Sequence, residues 1–133
     1  MKIFAAAAAI LGGLLLLVIP RFIFPACEYL GRGRMYCTDA AHGEFIVGGL
    51  LVATGAALLL LKSGTAAIGA AAVAALLCAA AFFVPAYTRY CANPDMACHY
   101  GMVPSIRFIA VAVGAVEVAA LTGLIRGSRR REA

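Results

Sequence analysis

The chain has 133 residues, of which 65% are apolar and 13% are charged. Soluble domains carry about 25% charged residues, so this composition in water would expose large apolar patches. It excludes an ordinary soluble domain and favours one compact membrane domain. The net charge is +5, and four basic residues lie after Ile125. Beside a membrane span such a cluster is typical of a topology anchor, and we expect no nucleic-acid partner.

Four apolar stretches are long enough to cross the lipid bilayer. They cover about residues 3–25, 44–62, 65–87 and 102–125. A span needs roughly 20 apolar residues, because each helical residue rises about 1.5 Å through about 30 Å of hydrocarbon. The stretches do not alternate apolar and polar residues, and a helix satisfies its own backbone groups in lipid. The sequence therefore predicts an all-α integral membrane protein, a four-transmembrane-helix bundle.

The first stretch has an alternative interpretation as a secretory signal. Lys2 precedes its apolar run, and the segment 24–27 weakly resembles a lipoprotein cleavage box. The run continues to Ala26, which is long for the apolar core of a signal peptide. We therefore expect a retained transmembrane helix.

The connections predict how the chain is arranged across the membrane. Residues 27–43 and 87–101 are two short polar caps that contain cysteines, residues 62–65 are a tight turn, and residues 126–133 are a basic tail. The basic tail favours both termini in the cytoplasm. The caps would then face the oxidising side of the cell's inner membrane, which suits their cysteines.

Two short motifs recur in the two halves of the chain. Met35-Tyr36-Cys37 is followed 61 positions later by Met96-Ala97-Cys98, and Phe24-Pro25-Ala26 is followed 60 positions later by Val84-Pro85-Ala86. The spacing predicts an internal repeat of two tandem helical hairpins. Parallel repeats of this kind occur in transporters, but a duplicated hairpin that only packs on itself has the same pattern.

Four cysteines lie in the predicted caps, and they allow three pairings. The simplest pairing joins Cys27 to Cys37 and Cys91 to Cys98. Each disulfide would close a short loop, which stabilises a protein by about 2–3 kcal/mol. We expect these disulfides to stiffen the caps.

A first alternative for the same cysteines is enzymatic. Two cysteine pairs above a four-helix bundle match the layout of quinone-linked membrane thiol–disulfide oxidoreductases. Those enzymes tune a thiolate with a Cys-x-x-Cys motif at a helix start. The chain has no Cys-x-x-Cys, so the likeness is one of architecture.

A second alternative is a soft-metal site for copper or zinc. Thioether, thiolate and imidazole ligands suit these ions. The candidate ligands are Met35, Cys37, His42, Met96, Cys98 and His99. Their spacing matches no standard zinc pattern, and a disulfide excludes thiolate ligands. We otherwise expect no metal, no cofactor and no catalytic residues.

The acidic residue Glu117 lies near the middle of the fourth span. A charge there costs several kcal/mol unless it is paired, neutral or hydrated, so such residues are functional candidates. Glu117 is then a proton or ligand site, or a contact to a partner's charge. The structural alternative is a protonated carboxyl group that is hydrogen-bonded inside the bundle, for example to Thr54.

Three further polar side chains in or near the spans have simpler interpretations. Glu44 is a second candidate functional residue, but at the start of the second helix its carboxylate also suits the helix dipole. Arg107 is expected to extend toward the outer headgroups. Cys78 is expected to be a small buried apolar residue.

Pairs of small residues four positions apart favour close helix contacts. The pairs are Gly49 with Ala53, Ala71 with Ala75, and Ala110 with Gly114. They predict packing within the bundle or against a partner, including a second copy of the chain.

A family resemblance rests on three motifs. They are Met-x-Cys before the second helix, Glu44 followed by Gly48 and Gly49, and Met-x-Cys-x-x-Gly before the fourth helix. From Pro20 to Gly123 the chain resembles the small bacterial and archaeal membrane proteins of domain-of-unknown-function family 4418. In that family the first Met-x-Cys is typically followed by His, whereas this chain has Thr38.

The resemblance implies a role but no chemistry. Members of the family often accompany ABC-type permeases. We therefore expect a non-enzymatic membrane accessory or interaction protein, associated with lipid and with an ABC-type export system.

Overall fold

The computed structural model describes residues 2–24, 36–62, 64–88, 95 and 98–132. This part of the chain forms four α-helices and two π-helical turns. The α-helices are α1 (Lys2–Val18), α2 (Tyr36–Leu60), α3 (Gly64–Tyr87) and α4 (Val103–Glu132). One π-helical turn, Ile19–Ile23, continues α1, and the other, Cys98–Met102, precedes α4. Four helical segments are long and apolar enough to cross a membrane, which confirms the predicted four-span, all-α fold.

Two helices are longer than predicted. α2 begins at Tyr36, eight residues before the predicted start at 44, so residues 36–43 are helical and not cap. The predicted boundary followed hydropathy, but Asp39 in the first turn suits a helix N-terminus and no proline interrupts the extension. α4 continues to Glu132, so residues 126–132 of the predicted tail are helical.

α1 and α2 pack side by side in opposite directions. The Lys2 ammonium donates a hydrogen bond to the Leu61 carbonyl at the end of α2. Further along, the two helices approach closely at Gly55. If Gly55 carried a side chain, its Cβ would lie only 3.0 Å from the Ala6 carbonyl oxygen. The closest approach is at Gly13 and Gly48, where small residues bring the two backbones together.

α3 and α4 form the second closely packed antiparallel pair. A Cβ added at Gly114 would lie 3.3 Å from the Cys78 Cβ. Toward the start of α4, the Arg107 guanidinium lies 5.4 Å from the centroid of the Phe82 ring. These two contacts set the register of the pair.

Two further interfaces close the bundle. Gly43 of α2 packs on Val84 of α3, and Gly12 of α1 packs on Val113 of α4. The helices thus surround one interior in chain order, with α2 and α4 diagonally opposite. We call the end with Lys2 and the α2–α3 connection the turn end, and the opposite end the loop end.

The interior of the bundle is lined mainly by small side chains. Ala6, Ala9, Ala71 and Ala74 are fully or almost fully buried. The large apolar side chains mostly point outward, which is the expected pattern where lipid is the solvent. Examples with at least 70% exposure are Phe4, Phe22, Leu60 and Phe108.

Of the predicted small-residue pairs, one lies at a helix contact and another faces outward. Ala110 and Gly114 do lie at a helix contact, against Cys78 of α3. Gly49 and Ala53 are exposed, and nothing lies within 4 Å of a Cβ added at Gly49. That pair faces outward, one residue away in sequence from the glycine that does contact α1.

Candidate intramembrane site

Two acidic side chains are enclosed by the bundle. Glu44 of α2 and Glu117 of α4 are both 0% exposed. None of their four carboxyl oxygens has a hydrogen-bond partner. Buried polar groups in proteins are normally paired, and unpaired ones in a membrane are strongly unfavourable. The structure therefore leaves two groups in the interior that require a proton, a cation or a rearranged neighbour.

Glu117 lies within the membrane-spanning part of α4, three residues after the Gly114 contact with α3. The preceding turn of α4 packs on Cys78 of α3 through Gly114. Cys78 is a free cysteine with 2% exposure, so its predicted burial is confirmed. Because Glu117 points inward, a partner helix on the outside of the bundle does not reach its carboxyl group.

The expected hydrogen bond between Glu117 and Thr54 is not formed. The Thr54 hydroxyl donates to the Leu50 carbonyl at 2.7 Å. Helical Thr residues commonly bond to the carbonyl four residues earlier. A protonated Glu117 would donate to the Thr54 oxygen, and neither Glu117 carboxyl oxygen has a hydrogen-bond partner.

The interpretation of Glu44 as a helix-start carboxylate is wrong. α2 begins at Tyr36, so Glu44 lies two turns inside the helix, and the dipole effect fades within the first turn. Glu44 instead lies one turn before Gly48, the glycine that contacts α1, and its side chain is enclosed. Its neighbour one turn later, Gly48, contacts the Gly13 carbonyl oxygen and the Leu16 side chain.

The part of α1 nearest Glu44 is irregular. α1 passes into its π-helical turn at Ile19, and the Phe24 N–H donates to the Ile19 carbonyl at 2.9 Å. Pro20 is buried in this turn. Because proline has no N–H, it cannot bond the carbonyl of Leu16 four residues earlier. π-Helical turns often occur at functional sites.

Arg107 lies toward the same end of the bundle as Glu44. Its guanidinium stacks on Phe82, and its Nε atom is buried with no hydrogen-bond partner. Arg107 therefore packs against α3 and does not pair with Glu44. The prediction that it extends to the headgroups stays a prediction.

The predicted disulfides and the alternative metal ligands fall mostly outside the described residues. Cys27, Cys91, Met35 and Met96 lie there, and the side chains of Cys37 and Cys98 are also not described. His42 and His99 are exposed. The disulfide, oxidoreductase and soft-metal interpretations therefore stay predictions.

A protein-family model described as Domain of unknown function (DUF4418) matches residues 9–124. The chain belongs to this family. The family resemblance of the sequence motifs is thereby confirmed, and the match includes both buried carboxyl groups of this DUF4418 protein. Neither the curated proteins nor the solved structures contain a significant match to the chain.

Sequence reasoning missed two features around Glu44. The first is the close approach of Gly13 and Gly48, and the second is the irregular turn at Pro20. A proline inside an apolar helix predicts a broken hydrogen-bond pattern. Pro20 was therefore the signal that could have pointed to this part of α1.

Proposed function

We propose that this DUF4418 protein is a non-enzymatic accessory protein of the inner membrane that binds an ABC-type permease. In this proposal both termini are cytoplasmic, and two similar hairpins carry outward caps held by disulfides. The observation that carries the proposal is the exposure of α4, which its own bundle covers least.

α4 exposes most of its apolar surface. In its most apolar 18-residue stretch, only 17% of α4 is buried inside the bundle, compared with 44% for the corresponding stretch of the first span. Phe108, Val111 and Val118 are 76%, 59% and 51% exposed. Exposed apolar surface of this kind is covered by lipid or by another protein. A helix that contributes little to its own core is well suited to contact a partner.

α4 also extends beyond the other helices. Its 30 residues measure about 45 Å, which exceeds the hydrocarbon thickness of about 30 Å. The extension lies at the turn end and carries Arg126 and Arg129, which are both exposed. If this end is cytoplasmic, as the positive-inside rule favours, the arginines lie at the level where the soluble subunits of an ABC-type system bind.

The position of the acidic groups supports a non-enzymatic role. Glu44 and Glu117 have no exposed surface, so a metabolite-sized substrate does not reach either group. General acid–base catalysis requires hydrogen-bond reach to the substrate. Enzymatic alternatives thus depend on the cap cysteines and not on the bundle interior.

Site-specific photo-crosslinking in native membranes tests the proposal. A photoreactive residue replaces Val118 on α4, and a matched variant carries it at Leu76 on α3, which is 69% exposed at a similar depth. We expect a crosslink to a second membrane polypeptide from position 118 and none from 76. Mass spectrometry identifies the captured chain.

The identity of the captured chain decides the outcome. An ABC-type permease supports the proposal. Capture of a second copy of this chain, or equal lipid adducts at both positions, contradicts it. A homo-oligomer interface on α4 then replaces the accessory role.

A further inference from the structure

We infer that Glu44 and the irregular end of α1 form a binding site for one monovalent cation, either a proton or Na⁺. This inference does not depend on the proposed permease partner. It rests on two independent observations, the enclosed carboxyl group of α2 and the broken hydrogen-bond pattern of α1.

The first observation is the state of Glu44. Its side chain is 0% exposed, and both carboxyl oxygens lack a hydrogen-bond partner. A buried group of this kind is compensated by a bound proton or by a counter-charge. One carboxylate balances one positive charge, whereas a divalent ion would leave an excess charge in a low-dielectric interior.

The second observation is the segment of α1 at the level of Glu44. Gly48 contacts Gly13 and Leu16, and α1 and α2 are antiparallel. Glu44, one turn closer to the loop end, therefore lies at the level of residues 17–20. Pro20 leaves the Leu16 carbonyl without its helical donor at this point. Backbone carbonyl oxygens at irregular membrane helices, together with carboxylates, are ligands that transporters use for Na⁺ and protons.

The surroundings favour a small hard ion. Apolar core residues lie on both sides of Glu44 along α2, with Val47 one turn toward the turn end and Ala40 one turn toward the loop end, so the polar ligands among the described residues at this level are the Glu44 carboxyl group and the backbone carbonyls of α1. Of the described charged side chains toward this end of the bundle, Arg107 is half-buried and stacks on Phe82. Asp39 and His42 of α2 and Arg21 of the π-helical turn are exposed. Oxygen ligands suit H⁺ and Na⁺, and not soft metals.

The binding step is an ion exchange. Na⁺ displaces the carboxyl proton of Glu44 one for one, so the net charge of the site does not change. Entry from the loop end involves about two helical turns of α2, because Glu44 lies eight residues after Tyr36.

The test uses the purified full-length protein in lipid nanodiscs, with Na⁺ as the probe. Choline replaces Na⁺ at equal ionic strength. Thermal unfolding and the carboxylic-acid carbonyl stretch in infrared difference spectra are recorded. At a pH where the band is present, Na⁺ should remove it and raise the unfolding temperature by roughly 5 °C at saturation. Both effects should be lost in Glu44→Gln and kept in the matched variant Glu117→Gln.

A second variant tests the carbonyl ligand without altering the carboxyl group. Pro20→Ala restores an N–H donor to the Leu16 carbonyl and favours a regular helix. We expect it to weaken the Na⁺ effect at least tenfold in half-saturating concentration while the protein stays folded.

The same experiment distinguishes a Na⁺ site from a proton site. A band that Na⁺ removes identifies a Na⁺ site. A band that is lost with rising pH but is insensitive to Na⁺, and is absent from Glu44→Gln, identifies a proton site. A Glu44 band that responds to neither ion, or a wild-type spectrum that Glu44→Gln leaves unchanged, overturns the inference.

Discussion

Gly13 and Gly48 hold the backbones of α1 and α2 in direct contact. A Cβ added at Gly13 would lie 2.7 Å from the Gly48 carbonyl oxygen, and one added at Gly48 would lie 2.9 Å from the Gly13 carbonyl oxygen. The obstacle in each case is backbone, which no rotamer change removes. Small residues at such points allow the close packing that drives helix association in lipid.

Replacing Gly48 with Ala should therefore destabilise the bundle. The added methyl group forces α1 and α2 apart, and overpacking of this kind costs about 1–3 kcal/mol. The free energy of unfolding, measured by titrating a mild-detergent sample with a denaturing detergent, checks the prediction.

The neighbouring glycine provides a matched control. Nothing lies within 4 Å of a Cβ added at Gly49, and Ala is a better helix former than Gly by about 1 kcal/mol. Gly49→Ala should leave the bundle as stable as the wild type or slightly more stable. Equal destabilisation by both substitutions would show that the contact of α1 with α2 does not depend on Gly48.

The buried Glu117 should contribute little to stability. Its carboxyl oxygens have no hydrogen-bond partner, and replacing an unpaired buried polar group with an apolar one is often neutral or stabilising. We expect Glu117→Leu to unfold at the same or a higher denaturant concentration than the wild type. A loss of more than about 2 kcal/mol would instead indicate a hydrogen-bonded structural role.

A double-mutant cycle separates Glu117 from Thr54. Neither Glu117 carboxyl oxygen has a hydrogen-bond partner, so Thr54→Val should act independently of Glu117→Gln. The expected coupling energy is within about 0.5 kcal/mol of zero. A larger coupling would restore the hydrogen bond that the sequence predicts.

The state of the cysteines distinguishes the three interpretations of the caps. The chain has five cysteines, and Cys78 is free and buried. If each cap holds one disulfide, protein denatured without reductant should bind one maleimide, and reduced protein should bind five. Intact mass spectrometry of protein from native membranes provides the count.

Other counts favour other roles for the caps. Three or five maleimides without reductant would contradict two stable disulfides. A pair that is reduced in membranes and becomes oxidised when quinone is added would favour the oxidoreductase. Thiols that are protected only while copper or zinc is bound would favour the soft-metal site.

Hydropathy alone was sufficient to predict the number of helices and their approximate positions. Lipid is a uniform apolar solvent, so a span is recognised by length and composition. Helix ends are less predictable, because helices continue into water. α2 begins at Tyr36 and α4 ends at Glu132, several residues outside the apolar stretches.

The interior contacts depend on helix rotation, which hydropathy does not specify. Gly48 and Gly49 are adjacent in sequence, yet only Gly48 faces α1. The mid-membrane depth of Glu117 was predictable from its distance to flanking charges, whereas its inward orientation was not. The burial of Glu44 was not predictable either, because its predicted place at a helix start depended on where α2 begins.

The stacking of Arg107 on Phe82 should contribute measurably to the contact of α3 with α4. The guanidinium lies 5.4 Å from the ring centroid, within the range of a cation–π interaction worth about 0.5–1 kcal/mol. A double-mutant cycle of Arg107→Met, Phe82→Leu and the double variant cancels the contribution that each side chain makes on its own. It leaves the coupling energy between the two side chains. Phe83 is 53% exposed, so Phe83→Leu is a matched control that should show no coupling to Arg107→Met. Zero coupling in the Phe82 cycle would contradict the cation–π contact. The Arg107 side chain would then extend to the headgroups, as the sequence alone predicts, and α3 and α4 would pack without a contribution from Arg107.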